Sequence, residues 1–136
     1  MTEKEMYDII EILEVEISSF RGGGYKVRFD FAKSLLSWND GYMWNNNFMK
    51  FMPAPQIEKL RASLPESGIL TWMEKYNKGE HEEIGNPTAN PSSWKMRVRL
   101  TDGTEIVSGH ARHFPKDWMK IRAIIEDATE CVFRLR

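Results

Sequence analysis

A single cysteine, Cys131, excludes an intramolecular disulfide and any cysteine-rich zinc site. It belongs to the apolar terminal segment CVFRLR, where a thiol is expected to act as core filler rather than as a reactive group. No stretch approaches the roughly 20 apolar residues that a membrane-spanning helix requires, so no membrane partner is expected. The first twenty residues carry Glu3, Glu5, Asp8, Glu11, Glu14 and Glu16 against Lys4 alone. That is the reverse of the basic start of a secretory signal, and the expectation is a cytoplasmic protein. A formal net charge of −1 argues against general nucleic-acid binding. Catalytic signatures are missing as well: no Gly-x-Ser-x-Gly elbow, no cysteine–histidine pairing, and no two acids set together as a dyad. Neither an enzyme activity nor a cofactor is expected.

What is present points to one α+β domain spanning residues 1–136, since a 136-residue chain with 41% hydrophobic and 29% charged residues can bury a core without staples. The most consistent stretch is Trp94 to Ile125. Trp94, Met96, Val98 and Leu100 alternate with Lys95, Arg97 and Arg99, a period of two that makes one strand face apolar and the other cationic. Asp102-Gly103 then predicts a type I′ hairpin turn into a short return strand ending near Gly109. After the loop GHARHF, Pro115 suits a first helical position, with Phe114 before it as N-cap. Trp118, Ile121, Ile125 and Ala128 give that helix its apolar stripe.

The same rules applied upstream predict strands over 11–20 and 25–31, joined at Gly22-Gly23-Gly24, and a short strand over 34–38. Lys26 and Arg28 are expected to pair across the ladder with Glu14, Glu16 or both. Thr2 followed by Glu5 resembles a capping box. Tyr42–Phe51 is ambiguous, mixing aromatics and methionines around Asn45-Asn46-Asn47. A helix over 55–76, interrupted at Pro65, follows. Residues 77–92 hold two prolines and two glycines and predict a long surface loop. The chain should end in a strand over 130–135. Together these elements predict an antiparallel sheet of about five to seven strands with two principal helices packed on one face.

Three places carry candidate chemistry. His110, Arg112 and His113 precede a predicted helix N-terminus, where free amides and the helix dipole favour phosphate or carboxylate. Arg97 and Arg99 on the neighbouring strand would add charge. The same histidines with His81 and Glu82 or Glu83 match no standard zinc spacing. The glycine triplet lacks the Gly-Lys-Ser/Thr of a phosphate loop and runs into a strand. Among the aromatics, Trp94, Trp118, Phe29 and Phe31 fall on core faces. Trp38, Tyr42, Trp44 and Trp72 sit in contexts where a ring can also stack on a ligand.

The early glycine turn, Ser93-Trp94, Asp102-Gly103, Gly109 and Pro115 with Trp118 resemble small bacterial and phage-borne α+β domains. The resemblance implies this fold and a prokaryotic or phage setting, and brings no activity with it. The leading expectation is a non-catalytic protein binding a small anionic or nucleotide-like ligand, such as a host defence signal sequestered by a phage protein. His110, Arg112, His113, Arg97 and Arg99 would hold the ligand, with Tyr42 or Trp44 stacking on it. The alternative is a protein-interaction module, an inhibitor or adaptor, whose surface is 42–51 and 77–92. A homo-oligomer fits either.

Overall fold

A computed structural model describes residues 2–19, 22–42, 44–79, 83–85, 92–111 and 114–133, and for 44, 83–85 and 92 the backbone only. The chain begins with α1 (Glu3–Asp8), followed by strands β1 (Ile10–Ser19), β2 (Gly24–Asp30) and β3 (Leu35–Asp40). A single 3-10 turn at Trp44–Asn46 leads into β4 (Phe48–Phe51). Helices α2 (Ala54–Ser67) and α3 (Ile69–Lys78), β5 (Glu83–Gly85), β6 (Ser92–Leu100), β7 (Glu105–Ala111), β8 (Phe114–Pro115) and α4 (Trp118–Thr129) complete the order. The main sheet is antiparallel, ordered β4-β3-β2-β1-β6-β7, and β5 pairs with β8 in a separate ribbon.

The period of two sorts the sheet into two faces. Leu13, Val15 and Ile17 stand in register with Val27 and Phe29 on one side and Trp94, Met96 and Val98 on the other, and all are buried beneath the helices. The helices supply Leu60 and Leu64, Ile69 and Met73, and Trp118, Ile121 and Ile125. This is the α+β layering expected from the alternating strands. Trp38 and Trp72 belong to this core too, at 1% and 7% exposure.

Several boundaries differ from the sequence reading. The helix over 55–76 is two helices, and the break lies at Gly68, whose φ of 70° is left-handed, not at Pro65 in the last turn of α2. Asp102 keeps a negative φ, so the β6–β7 turn is not type I′. Gly103 N donates to Leu100 O at 3.0 Å and Gly103 takes φ 91°, the arrangement of a three-residue loop with a glycine bulge. Strand β7 continues past Gly109 because a long β6 faces it. A Cβ at 109 would stand 2.8 Å from Trp94 O, so the glycine permits close pairing there rather than stopping it. The last helix starts at Trp118 with Asp117 as N-cap, and Phe114 and Pro115 form β8 instead. Residues 130–133 are not a strand. Phe133 N donates to Glu126 Oε2 at 2.8 Å, which turns the segment back on α4 and seats Phe133 in the core. In the predicted 77–92 loop, α3 runs on to Lys78 and β5 occupies Glu83–Gly85.

Two side chains tie α1 to the helical layer. Arg61 of α2 donates to the carbonyls of Asp8 and Ile10, both at 3.1 Å, and lies 4.4 Å from the Phe31 ring centre. It thereby satisfies the Asp8 carbonyl that the end of α1 leaves open, and adds a bond to the first residue of β1. Tyr7 Oη accepts a hydrogen bond from Leu70 N at 3.1 Å, capping α3, whose own N-cap Gly68 has no side chain to do so. Burial, outweighing the Leu70 hydrogen bond, pushes the Tyr7 phenol up from 10.0 to about 12. A raised folded value means that this contribution is complete below pH 10 and is lost as the pH climbs towards 12. Tyr7→Phe is therefore expected to cost about 1–2 kcal/mol at neutral pH by leaving the Leu70 amide unpaired. It should also flatten the alkaline fall in stability. Urea melts of both proteins at neutral pH and across that alkaline window check this; parallel pH curves would contradict it.

Candidate functional site

The face of the sheet opposite the helices carries the polar halves of the alternating strands. Glu14 lies at its centre: Oε2 is 3.7 Å from Lys26 Nζ, while Oε1 is 3.6 Å from Arg28 Nε and 3.9 Å from Arg97 Nη2. Arg97 Nε also lies 3.2 Å from Glu105 Oε1, and Arg99 Nε 3.7 Å from Glu11 Oε2. The expected cross-ladder pairing of Lys26 and Arg28 with an acid of β1 is therefore present, through Glu14. Arg97 and Arg99 both face carboxylates, so an incoming anion would have to compete with neighbours already in place. The basic partners are a third to a half exposed while Glu14 is 13% exposed; pairs whose cation reaches solvent in this way add little stability, about 0–1 kcal/mol each.

The other candidate residues do not gather around that pair. His110 lies in β7 opposite Trp94, on the helix-covered face, with its ring 5.8 Å from that of Tyr76 and its Nδ1 2.7 Å from Ala111 O. It borders a cleft of about 580 Å³ shared with Asn77, Ser93 and Lys95. Tyr42 sits beyond β3. Its amide donates to Asp40 Oδ1 at 2.8 Å and its ring lies 5.5 Å from that of Tyr25. His110 and Asp40 share a cross-strand row through Trp94, Ile17 and Tyr25. Four strand spacings of about 4.8 Å each thus separate His110 from the Tyr42 corner. Trp44 opens the 3-10 turn, and its side chain, like Arg112 and His113, lies outside the described residues. The start of α4 holds the Asp117 carboxylate, which already places negative charge at the positive end of the dipole.

The alternative chemistries find no cluster. Among the described residues no three His, Cys, Asp or Glu side chains come together in a way that could hold a metal ion, and His81, Glu82 and His113 lie outside them. The glycine triplet closes the β1–β2 hairpin: Gly22 N donates to Ser19 O and Ser19 N to Gly23 O, both at 3.0 Å. A groove of about 590 Å³ between α2 and α4 is bordered by the Lys59–Asp127 ion pair at 2.9 Å and by Gln56, whose Nε2 donates to Ala128 O. Among the described residues, no helix is long and apolar enough to cross a membrane.

The surface that stands out is the free edge at β4. Among the described residues no strand pairs with its outer side. Met49 and Phe51 are 66% and 67% exposed, although both are large and apolar. They share the solvent face with Ser37 and Leu35, to which they are registered. Edge strands are ordinarily blunted by charge, proline or bulges, and here Lys50 is the one charged residue of the four. Both residues lie within 42–51, the stretch read from the sequence as the surface of an interaction module; nothing in FMKF singles them out, because three of its four residues are apolar and the period of two is missing. No protein-family model matches the chain, and no curated protein and no solved structure does either.

Proposed function

We propose that this chain is a protein-interaction module that docks a partner along the free edge of β4. The observation that carries this reading is the coincidence of two-thirds-exposed Met49 and Phe51 with a strand edge that no other strand pairs among the described residues. Solvent-facing apolar side chains beside open backbone donors and acceptors are what a strand-adding partner uses: main-chain bonds supply affinity, and alternate side chains supply specificity. A small anionic ligand has less support, since Arg97 and Arg99 face carboxylates and His110 lies on the opposite face of the sheet.

A photo-crosslinking residue placed at Phe51 in the cell tests the proposal, with the same residue at Glu74, on the exposed side of α3, as the comparison. A discrete crosslinked species at 51 and none at 74 is the expected result. Absence of any adduct at 51, or the same adducts at both positions, would remove the reading.

A further inference from the structure

We infer that the occupant of the β4 edge is a second copy of this chain, paired antiparallel with Met49 opposite Phe51 of the partner subunit. The inference rests on the reading of β4 as a docking edge and adds the identity and register of what docks. Met52 N donates to Ser34 O at 2.7 Å, and Leu36 is registered with Lys50. Because bonded pairs alternate along an antiparallel ladder, Phe48, Lys50 and Met52 bond inward to β3, while Met49 and Phe51 direct their N–H and C=O groups to the open edge. The two residues with exposed apolar side chains are thus also the two whose backbone groups have no partner strand among the described residues.

A two-fold axis demands a self-complementary patch. Met49 and Phe51 meet that demand, being two apart on one face. A single axis through Lys50 sets each Met49 against the other copy's Phe51, forming both bonded pairs within the strand and joining two six-stranded sheets edge to edge. Shifting the axis to Met49 would need Asn47, which lies outside β4, for its second pair. Shifting by one residue would put side chains on the wrong faces. With a net charge of −1 per chain, the two copies scarcely repel. The one unfavourable feature is Lys50 facing Lys50 across the axis, and it makes the arrangement testable. A four-residue strand pair buries less than a standard interface, so the dimer is weak and concentration-dependent.

Sedimentation of the full chain from micromolar to near-millimolar concentration should show a monomer–dimer equilibrium. Phe51→Arg should weaken it by at least about tenfold. Mixing wild type with Lys50→Glu should give a heterodimer about three- to tenfold tighter than the wild-type homodimer, because opposite charges replace like ones at the axis. Both positions are on the surface, and circular dichroism of each variant verifies the fold. A chain that stays monomeric throughout, or a dimer indifferent to both substitutions, overturns self-pairing. The docking reading fails separately, when the Phe51 crosslinker captures neither a second copy nor another protein; capture of another protein alone keeps that reading and overturns this inference.

Discussion

Replacing Trp118 with alanine will destabilise the protein by about 3–5 kcal/mol, the range for deleting a large buried aromatic side chain. The ring is 2% exposed and touches three separate parts of the structure. It meets Phe114 of β8 edge-on at 4.9 Å, lies 6.1 Å from Trp94 of β6 and stacks at 6.3 Å on Phe133 of the returning C-terminal segment. Phe133 in turn reaches Trp38 of β3 at 6.0 Å. The aromatic contacts therefore cross from one end of the sheet towards the other, with Trp118 connecting α4 to all of them. Truncation removes the transfer energy of the ring and leaves a void that three elements cannot fill together. Total stability of a domain is about 5–15 kcal/mol, so the loss takes a large share of it. Urea denaturation should show a marked fall in midpoint for Trp118→Ala, a partial recovery for Trp118→Phe, and almost no change for Met119→Ala one residue on, at 47% exposure. Equal losses at 118 and 119 would refute the assignment of Trp118 as the junction.

The second large effect lies at Gly24, where β2 begins. Its φ of 154° is a backbone region that L residues rarely adopt, and a Cβ there would stand 2.1 Å from Ile17 O. That oxygen belongs to the neighbouring strand and cannot move aside as a flexible side chain would. Gly24 O also accepts from Gly41 N at 2.7 Å, so shifting Gly24 disturbs the β3 end as well. Gly24→Ala should cost about 2–6 kcal/mol, the sum of backbone strain and overpacking. Gly22→Ala is the informative contrast. With φ 92° and nothing within 4 Å of its Cβ, it carries the conformational term alone, about 1–2 kcal/mol. Matched denaturation curves distinguish the two, and equal costs at both glycines would rule out the backbone clash.

The limits of the sequence reading follow from the range of each interaction. Tyr25 to Phe31, Trp94 to Leu100 and Trp118 to Ala128 show their elements plainly, because a side chain's direction along a strand or helix depends on its own backbone. The terminal CVFRLR shows the same alternation, and Val132 is exposed while Phe133 is buried, yet no strand forms over 130–133. Its amide bonds to Glu126 instead, a competition that periodicity cannot register. The start of α4 differs from the pattern for a similar reason: Pro115 suits a first helical turn, but it is registered with Glu83 in the β5–β8 ribbon.

The candidate site divides along the same line. His110, Arg97, Arg99 and Tyr42 are the residue types an anion site would need, and residue type is all that the sequence supplies. Their mutual placement is a matter of strand order and parity. Arg97 is registered with Val107 and His110 with Trp94, an odd offset that sends the arginine and the histidine to opposite faces of the sheet. Composition and alternation by themselves determined that the chain forms an antiparallel sheet with helices on one face, since burying alternate apolar residues leaves few other layered arrangements. Only the tertiary structure decided that β1 pairs with β6, some eighty residues away, and that β4 is therefore left as an edge with Met49 and Phe51 in solvent. That choice is a competition among non-local pairings, decided by packing of the whole core rather than by any segment's own pattern.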